Sequence, residues 1–148
     1  LERTKARVIL IGGPEEAEEA RSLSAALPPG ERLANWVGGS SIGETLALLA
    51  KADLLVTNDS GPLHWAVALG TPTVSFFGPE TPDLYGPPPG PLHRVFYSRR
   101  YCSPCLTSRY AKTSACRDNL CLQDIGVEEA FAAVAGRLAR GRSAEAEG

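Results

Sequence analysis

The sequence predicts an α/β fold: a Rossmann-like parallel sheet with helices on both faces. Three observations carry that expectation. Short apolar runs alternate with amphipathic helical stripes along most of the chain. One stretch, Ala52–Pro79, reads as a complete unit of strand, tight loop, helix, tight turn and strand. A last stripe, Val127, Phe131, Val134 and Leu138, recurs at i, i+4, i+7 and i+11 and so marks a closing amphipathic helix. Short connections and right-handed crossovers then make the strands parallel.

Taken in order, Leu1–Lys5 reads as a linker and Arg7–Ile11 as the first strand, ending at Gly12-Gly13-Pro14. Glu15–Ala26 is expected as a helix, with Ala17, Ala20, Leu23, Ala26 and Leu27 inward and acids at its start, where they complement the helix dipole. Pro28-Pro29-Gly30 is a turn, Arg32–Val37 a short strand and Gly38-Gly39-Ser40 a loop. Ser41 and Glu44 have the spacing of a capping box, opening a helix that runs to Lys51 on a stripe of Ile42, Leu46, Leu49 and Ala50.

The central unit follows. Asp53–Thr57 is a buried parallel strand and Asn58-Asp59-Ser60-Gly61 is loop chemistry. Pro62 suits the first helical position, where its missing N–H is harmless. Leu63, Ala66, Val67 and Leu69 form the apolar side of that helix; Gly70 is its left-handed stop, and Pro72 prevents continuation. Thr73–Phe77 is the next strand. Glu80–Pro91 is a stiff proline-rich loop, His93–Tyr97 a last strand and Val127–Ala139 the closing helix. Residues 1–140 are thus one domain with a cysteine-containing loop at 98–122, and 141–148 are expected as a disordered tail.

Composition narrows the function. A chain of 148 residues is long enough to bury a core, and its net charge of −2 offers no basic field for nucleic acid. No apolar run approaches a membrane span, and no signal peptide is expected from the opening residues. The absence of methionine, position 1 included, predicts a fragment or a processed chain.

The central loop has the placement of a ligand site. The amides of Ser60, Gly61 and Leu63 fall at the positive end of a helix and at the carboxyl end of a parallel strand, where open α/β sheets bind anions. Asp59 has the wrong sign for phosphate and suits sugar hydroxyls or local amides; Gly61 permits close approach; His64 lies one turn beyond Ser60. The competing reading makes Asp59 a helix cap and His64 a surface histidine.

The wording NDSGPLHWAVALGTPTVSFFGP is more specific than its spacing. An Asp-Ser-Gly, a His three residues later, Ala-Leu-Gly-x-Pro and Phe-Gly-Pro resemble the C-terminal domain of the family 9 glycosyltransferases, the ADP-heptose:lipopolysaccharide heptosyltransferases. The resemblance spans Val8 to Leu138. It implies one lobe of a GT-B enzyme, binding a nucleotide sugar without a metal ion. It places Glu16 on the ribose and Gly39 and Ser40 at the base. Ser60 and Gly61 then face the diphosphate, with Asp59 and His64 beside the sugar, and Thr81 and Tyr85 become candidate contacts near it. The family's general-base Asp and phosphate-binding Lys have no counterpart in this chain, so no catalytic residue is assigned within it. The implied partners are an ADP-heptose-like donor, a missing N-terminal domain and a lipid-linked acceptor; the implied location is the cytoplasm, peripheral at the inner membrane.

Cys102, Cys105, Cys116 and Cys121 lie within one short segment. Three readings compete: a structural zinc held by four thiolates, two disulfides, or free thiols. The second pair is spaced more widely than in a zinc ribbon, which leaves all three open. They also support a second function class, a non-catalytic four-cysteine interaction module on an α/β scaffold. A nicotinamide-dependent oxidoreductase is weaker, because the chain lacks G-x-G-x-x-G.

Overall fold

Apolar strands bounded by glycine and proline turns lead the chain through six helices and five strands among the described residues, which in this computed structural model are 3–27, 32–106 and 113–145. The Pro28-Pro29-Gly30 turn, the start of the linker, residues 107–112 of the cysteine segment and the last three residues of the tail lie outside them. The chain divides into two units, Leu1–Leu48 and Leu49–Gly148.

In the first unit β1 (Val8–Leu10) pairs in parallel with β2 (Leu33–Asn35). The expected first helix begins as a 3-10 turn, Pro14–Glu16, and continues as α1 (Ala17–Ala26). Ala20 is buried on its inner side, whereas Leu23 is half exposed. Helix α2 (Ile42–Leu49) starts at the expected capping box. The Ser41 amide donates to Glu44 Oε2 at 2.8 Å and the Ser41 hydroxyl donates to the same oxygen at 2.7 Å. These bonds hold the Glu44 carboxyl below its usual range. Leu49 is buried, but Ile42, expected in the stripe, is 64 % exposed. It sits in the first turn, beyond the reach of the core.

The second unit carries β3 (Leu55–Asn58), β4 (Thr73–Phe77) and β5 (His93–Tyr97) in the spatial order β3-β4-β5, all parallel. Every strand pair is therefore parallel, as an α/β fold requires. Among the described residues the ladders form a two-stranded and a three-stranded sheet, where one sheet was expected. Strands of three residues, as β1 and β2 are, leave little edge for further pairing.

The core of this unit is built on β4, whose Thr73, Val74, Ser75 and Phe77 are all buried. Helix α3 (Gly61–Ala68) covers it with Leu63 and Ala66, both fully buried, and Phe96 of β5 stacks on Phe76 at 5.5 Å. Gly70 adopts φ +72°, the left-handed stop its position predicts. Thr71, next along, closes the turn by donating its hydroxyl to the Leu49 carbonyl at 2.8 Å.

Two short helices break segments expected as loops. Thr81 caps α4 (Pro82–Tyr85), its hydroxyl accepting from the Asp83 amide at 3.2 Å. Helix α5 (Leu120–Gln123) falls within the cysteine segment. The closing helix α6 runs from Val127 to Glu145, so 141–145 are helical where a disordered tail was expected. Val127, at its first position, is 80 % exposed and does not join the stripe.

Candidate functional site

Glycine-bearing turns follow both β1 and β2, and in the first unit they interlock. The Gly38 amide donates to the Gly12 carbonyl at 3.0 Å, and the Gly39 amide to the Trp36 carbonyl at 3.1 Å. Gly38 has φ +71°, and a Cβ there would stand 3.1 Å from Pro14 Cα. Both constraints demand glycine. Glu16 reaches back over this turn, its Oε2 accepting from the Gly13 amide at 2.9 Å. A Cβ on Gly12 would lie 2.3 Å from the same oxygen. Glu16 is exposed and fixed by its cap, a geometry that presents one carboxylate at the end of β1. Ser40 is half buried, its hydroxyl 3.1 Å from that of Thr45, which in turn donates to the Ser41 carbonyl at 3.1 Å. Glu16, Gly39 and Ser40 thus share the first unit, on the turns that follow its two strands.

The other four candidates share the second unit. Asp59 follows β3, and its amide donates to the Phe76 carbonyl at 3.2 Å, extending the ladder one residue. Ser60 is the N-cap of α3, with extended φ −154° and ψ 168°. Its hydroxyl does not cap the helix; it lies 3.0 Å from Thr57 Oγ1. Gly61 is the first helical residue, so Pro62 occupies the second position and not the first. The Leu63 amide, expected to face a ligand, instead donates to the Ser60 carbonyl at 3.1 Å, closing the first turn. His64 is exposed on that turn. Thr81 was a candidate sugar contact, and its hydroxyl serves the α4 cap.

Sequence reasoning missed what lies against the end of β4. The Ser103 hydroxyl donates to the Gly78 carbonyl and lies 3.1 Å from the Tyr97 hydroxyl. The Cys105 and Leu106 amides both donate to the Pro79 carbonyl, at 2.8 and 2.9 Å. Arg100 grips the Asp124 carboxylate through two nitrogens, one bond being 2.7 Å, which holds the Asp124 carboxyl below its usual range. The cysteine segment is therefore fastened to the Gly78-Pro79 turn. The signal available beforehand was Phe-Gly-Pro itself: a Cβ on Gly78 would meet Leu122 Cγ at 2.7 Å and Cys121 Sγ at 3.1 Å.

All four cysteines are free thiols: Cys102 and Cys116 exposed, Cys105 half buried, Cys121 buried. Burial pushes the Cys121 thiol up, and the nearby Cys105 and Cys116 add to the effect. No group of three or more metal-ligating side chains is arranged for an ion among the described residues.

Comparison with known proteins gives this geometry a context. The sequence profile of glycosyltransferase family 9 (heptosyltransferase) matches residues 1–114. Lipopolysaccharide heptosyltransferase 2 of Escherichia coli (strain K12) is 34 % identical over 83 residues, covering 55 % of this chain and 24 % of that protein. Lipooligosaccharide heptosyltransferase 2 of Campylobacter jejuni (serotype O:2) is 30 % identical over 81 residues, covering 55 % and 24 %. These matches reach only about a quarter of those relatives' length. Among solved structures, E. coli ADP-heptose lps heptosyltransferase II aligns over 62 % of this chain and 28 % of its own, with TM-score 0.57 and 32 % identity. A family 9 glycosyltransferase from Veillonella parvula aligns over 90 % and 37 %, with TM-score 0.68 and 22 % identity, a likeness of fold.

Proposed function

The chain belongs to glycosyltransferase family 9, and from that membership we propose that it is the donor-binding, C-terminal part of an inverting heptosyltransferase. The reaction is transfer of heptose from ADP-heptose to a lipopolysaccharide core acceptor. One observation supports this most strongly. At the carboxyl end of β3 the N-cap Ser60 is extended and turns its hydroxyl to Thr57, so its side chain caps none of the first-turn amides of α3. Amides in that position, with the helix dipole behind them, suit a diphosphate.

The assignment by residue follows the two units. In the first, Glu16 takes the ribose hydroxyls, and Gly39 and Ser40 the base. In the second, the Ser60 and Gly61 amides take the diphosphate, and Asp59 and His64 the sugar. Glu16 carries its role at modest cost to its cap, since a carboxylate accepts several hydrogen bonds. Negative charge grows on the diphosphate as the glycosidic bond breaks, so fixed amides aimed there stabilise the transition state more than the ground state. No group in this chain is assigned as general base. The proposed chemistry needs no metal. No helix among the described residues is long and apolar enough to cross a membrane; the proposed setting is the cytoplasmic side of the inner membrane, where a lipid-linked acceptor is met.

Calorimetric titration with ADP and UDP tests the reading. ADP is expected to bind, and Glu16→Ala to weaken it about tenfold, the value of charge-assisted hydrogen bonds to the ribose. Equal affinity in Glu16→Ala contradicts the ribose assignment. Equal binding of UDP removes adenine selectivity. Tight zinc binding with no response to either nucleotide favours the four-cysteine interaction module instead.

A further inference from the structure

At the amino ends of β4 and β5, opposite the strand ends that carry Asp59 and Gly78, lies a cavity of 380 Å3. It falls within the second unit, and its size is that of a small-molecule site. Its wall combines Thr73, His93, Arg94, Glu129, Arg137 and Arg140 with the Phe96 ring. Three guanidiniums thus stand against one carboxylate, in a chain whose net charge is −2.

Two of the three guanidiniums, those of Arg94 and Arg137, are positioned by contacts, while Arg140 is an exposed residue of the wall. Arg94 lies 4.7 Å over the Phe96 ring and donates to Glu129 Oε1 at 3.3 Å. Arg137 donates to the Pro91 carbonyl at 3.2 Å through Nη1. A guanidinium has five donors, so each of these contacts leaves most of the fork to offer. His93 Nδ1 lies 3.0 Å from the Thr73 hydroxyl, and burial with the nearby Arg137 charge pushes the imidazole toward its neutral form. The histidine therefore contributes a polar edge, and the arginines the charge. Planar guanidinium donors recognise phosphate oxygens bidentately.

We propose that this cavity is an anion site for a compact phosphate or phosphomonoester, separate from the donor edge. Arg137 and Arg140 are its principal ligands, with Arg94 held in reserve by Glu129.

The test is a 1H–15N NMR titration of the whole chain with inorganic phosphate, and separately with glycerol 3-phosphate, at ionic strength fixed with chloride. The expected result is saturable shifts at Thr73, Leu92, His93 and Arg94. Affinity should fall about tenfold in both Arg137→Gln and Arg140→Gln, as loss of a charge-assisted hydrogen bond requires. Arg140→Gln keeps the test valid if Arg137→Gln, which also frees Pro91, disturbs the fold. Shifts that are linear, matched by chloride, or unchanged in both variants overturn the proposal. So does binding to phosphatidylglycerol vesicles with no response to free phosphate, which makes the patch a membrane contact.

Discussion

Replacing Phe77 with alanine is expected to destabilise the protein by about 3–5 kcal/mol, the range for truncating a buried aromatic side chain. Phe77 is fully buried at the end of β4. A cavity there loses transfer energy and contacts together, because the flanking residues are fixed by the ladder: Phe76 pairs with Asn58 on one side and Phe96 on the other. A loss of that size is a large fraction of the roughly 5–15 kcal/mol that holds an ordinary domain. It also reaches the turn after β4. Gly78 and Pro79 follow directly, and their carbonyls hold Ser103, Cys105 and Leu106. The check is the urea midpoint, with Leu84→Ala as reference. Leu84 is 73 % exposed, and its truncation is expected to stay within about 0.5 kcal/mol. Equal midpoints for the two variants contradict the placement of the core on β4.

Gly61→Ala is expected to separate folding from binding. A Cβ at Gly61 has only Trp65 Cζ2 in reach, at 4.0 Å. The residue sits in a helical turn, so alanine is accommodated and stability holds or rises by up to about 1 kcal/mol. On the proposed donor reading, the methyl then stands where a diphosphate oxygen would approach the first-turn amides. Losing one charge-assisted hydrogen bond is worth about 1.5–3 kcal/mol, so ADP affinity should fall tenfold or more. Thermal unfolding and calorimetry on the same sample read both effects. Unchanged affinity in a stable variant means that no ligand approaches Gly61.

Much of this was legible in the residues, for identifiable reasons. Thr73–Phe77 and His93–Tyr97 form strands at the expected bounds, because turn residues punctuate both ends of each apolar run. Gly70 and the Ser41–Glu44 box were legible because each has a single local job. Helix α4 was hidden by its prolines, although Thr81-Pro82 is itself a cap followed by a first-turn proline. Helix α5 has four residues, too few to show a period. Ile42 and Val127 fitted helical stripes yet are exposed, since first-turn positions extend past the surface they were expected to cover. The pairing of Glu16 with the Gly13 amide follows capping-box spacing with glycine in the serine position, a pattern the usual side-chain signal omits. The arginine cavity was beyond sequence reasoning, because Arg94 and Arg137 are brought together only by the packing of α6 beside β5.

The proposed nucleoside diphosphate site lies at the carboxyl ends of the strands. A 1H–15N NMR titration of the whole chain with ADP tests it residue by residue. The expected result is saturable shifts at the Ser60 and Gly61 amides and at Gly39 and Ser40, with Thr73 and His93 following only as far as phosphate alone moves them. Saturable shifts confined to Thr73, His93 and Arg137, or none at millimolar ADP, contradict it.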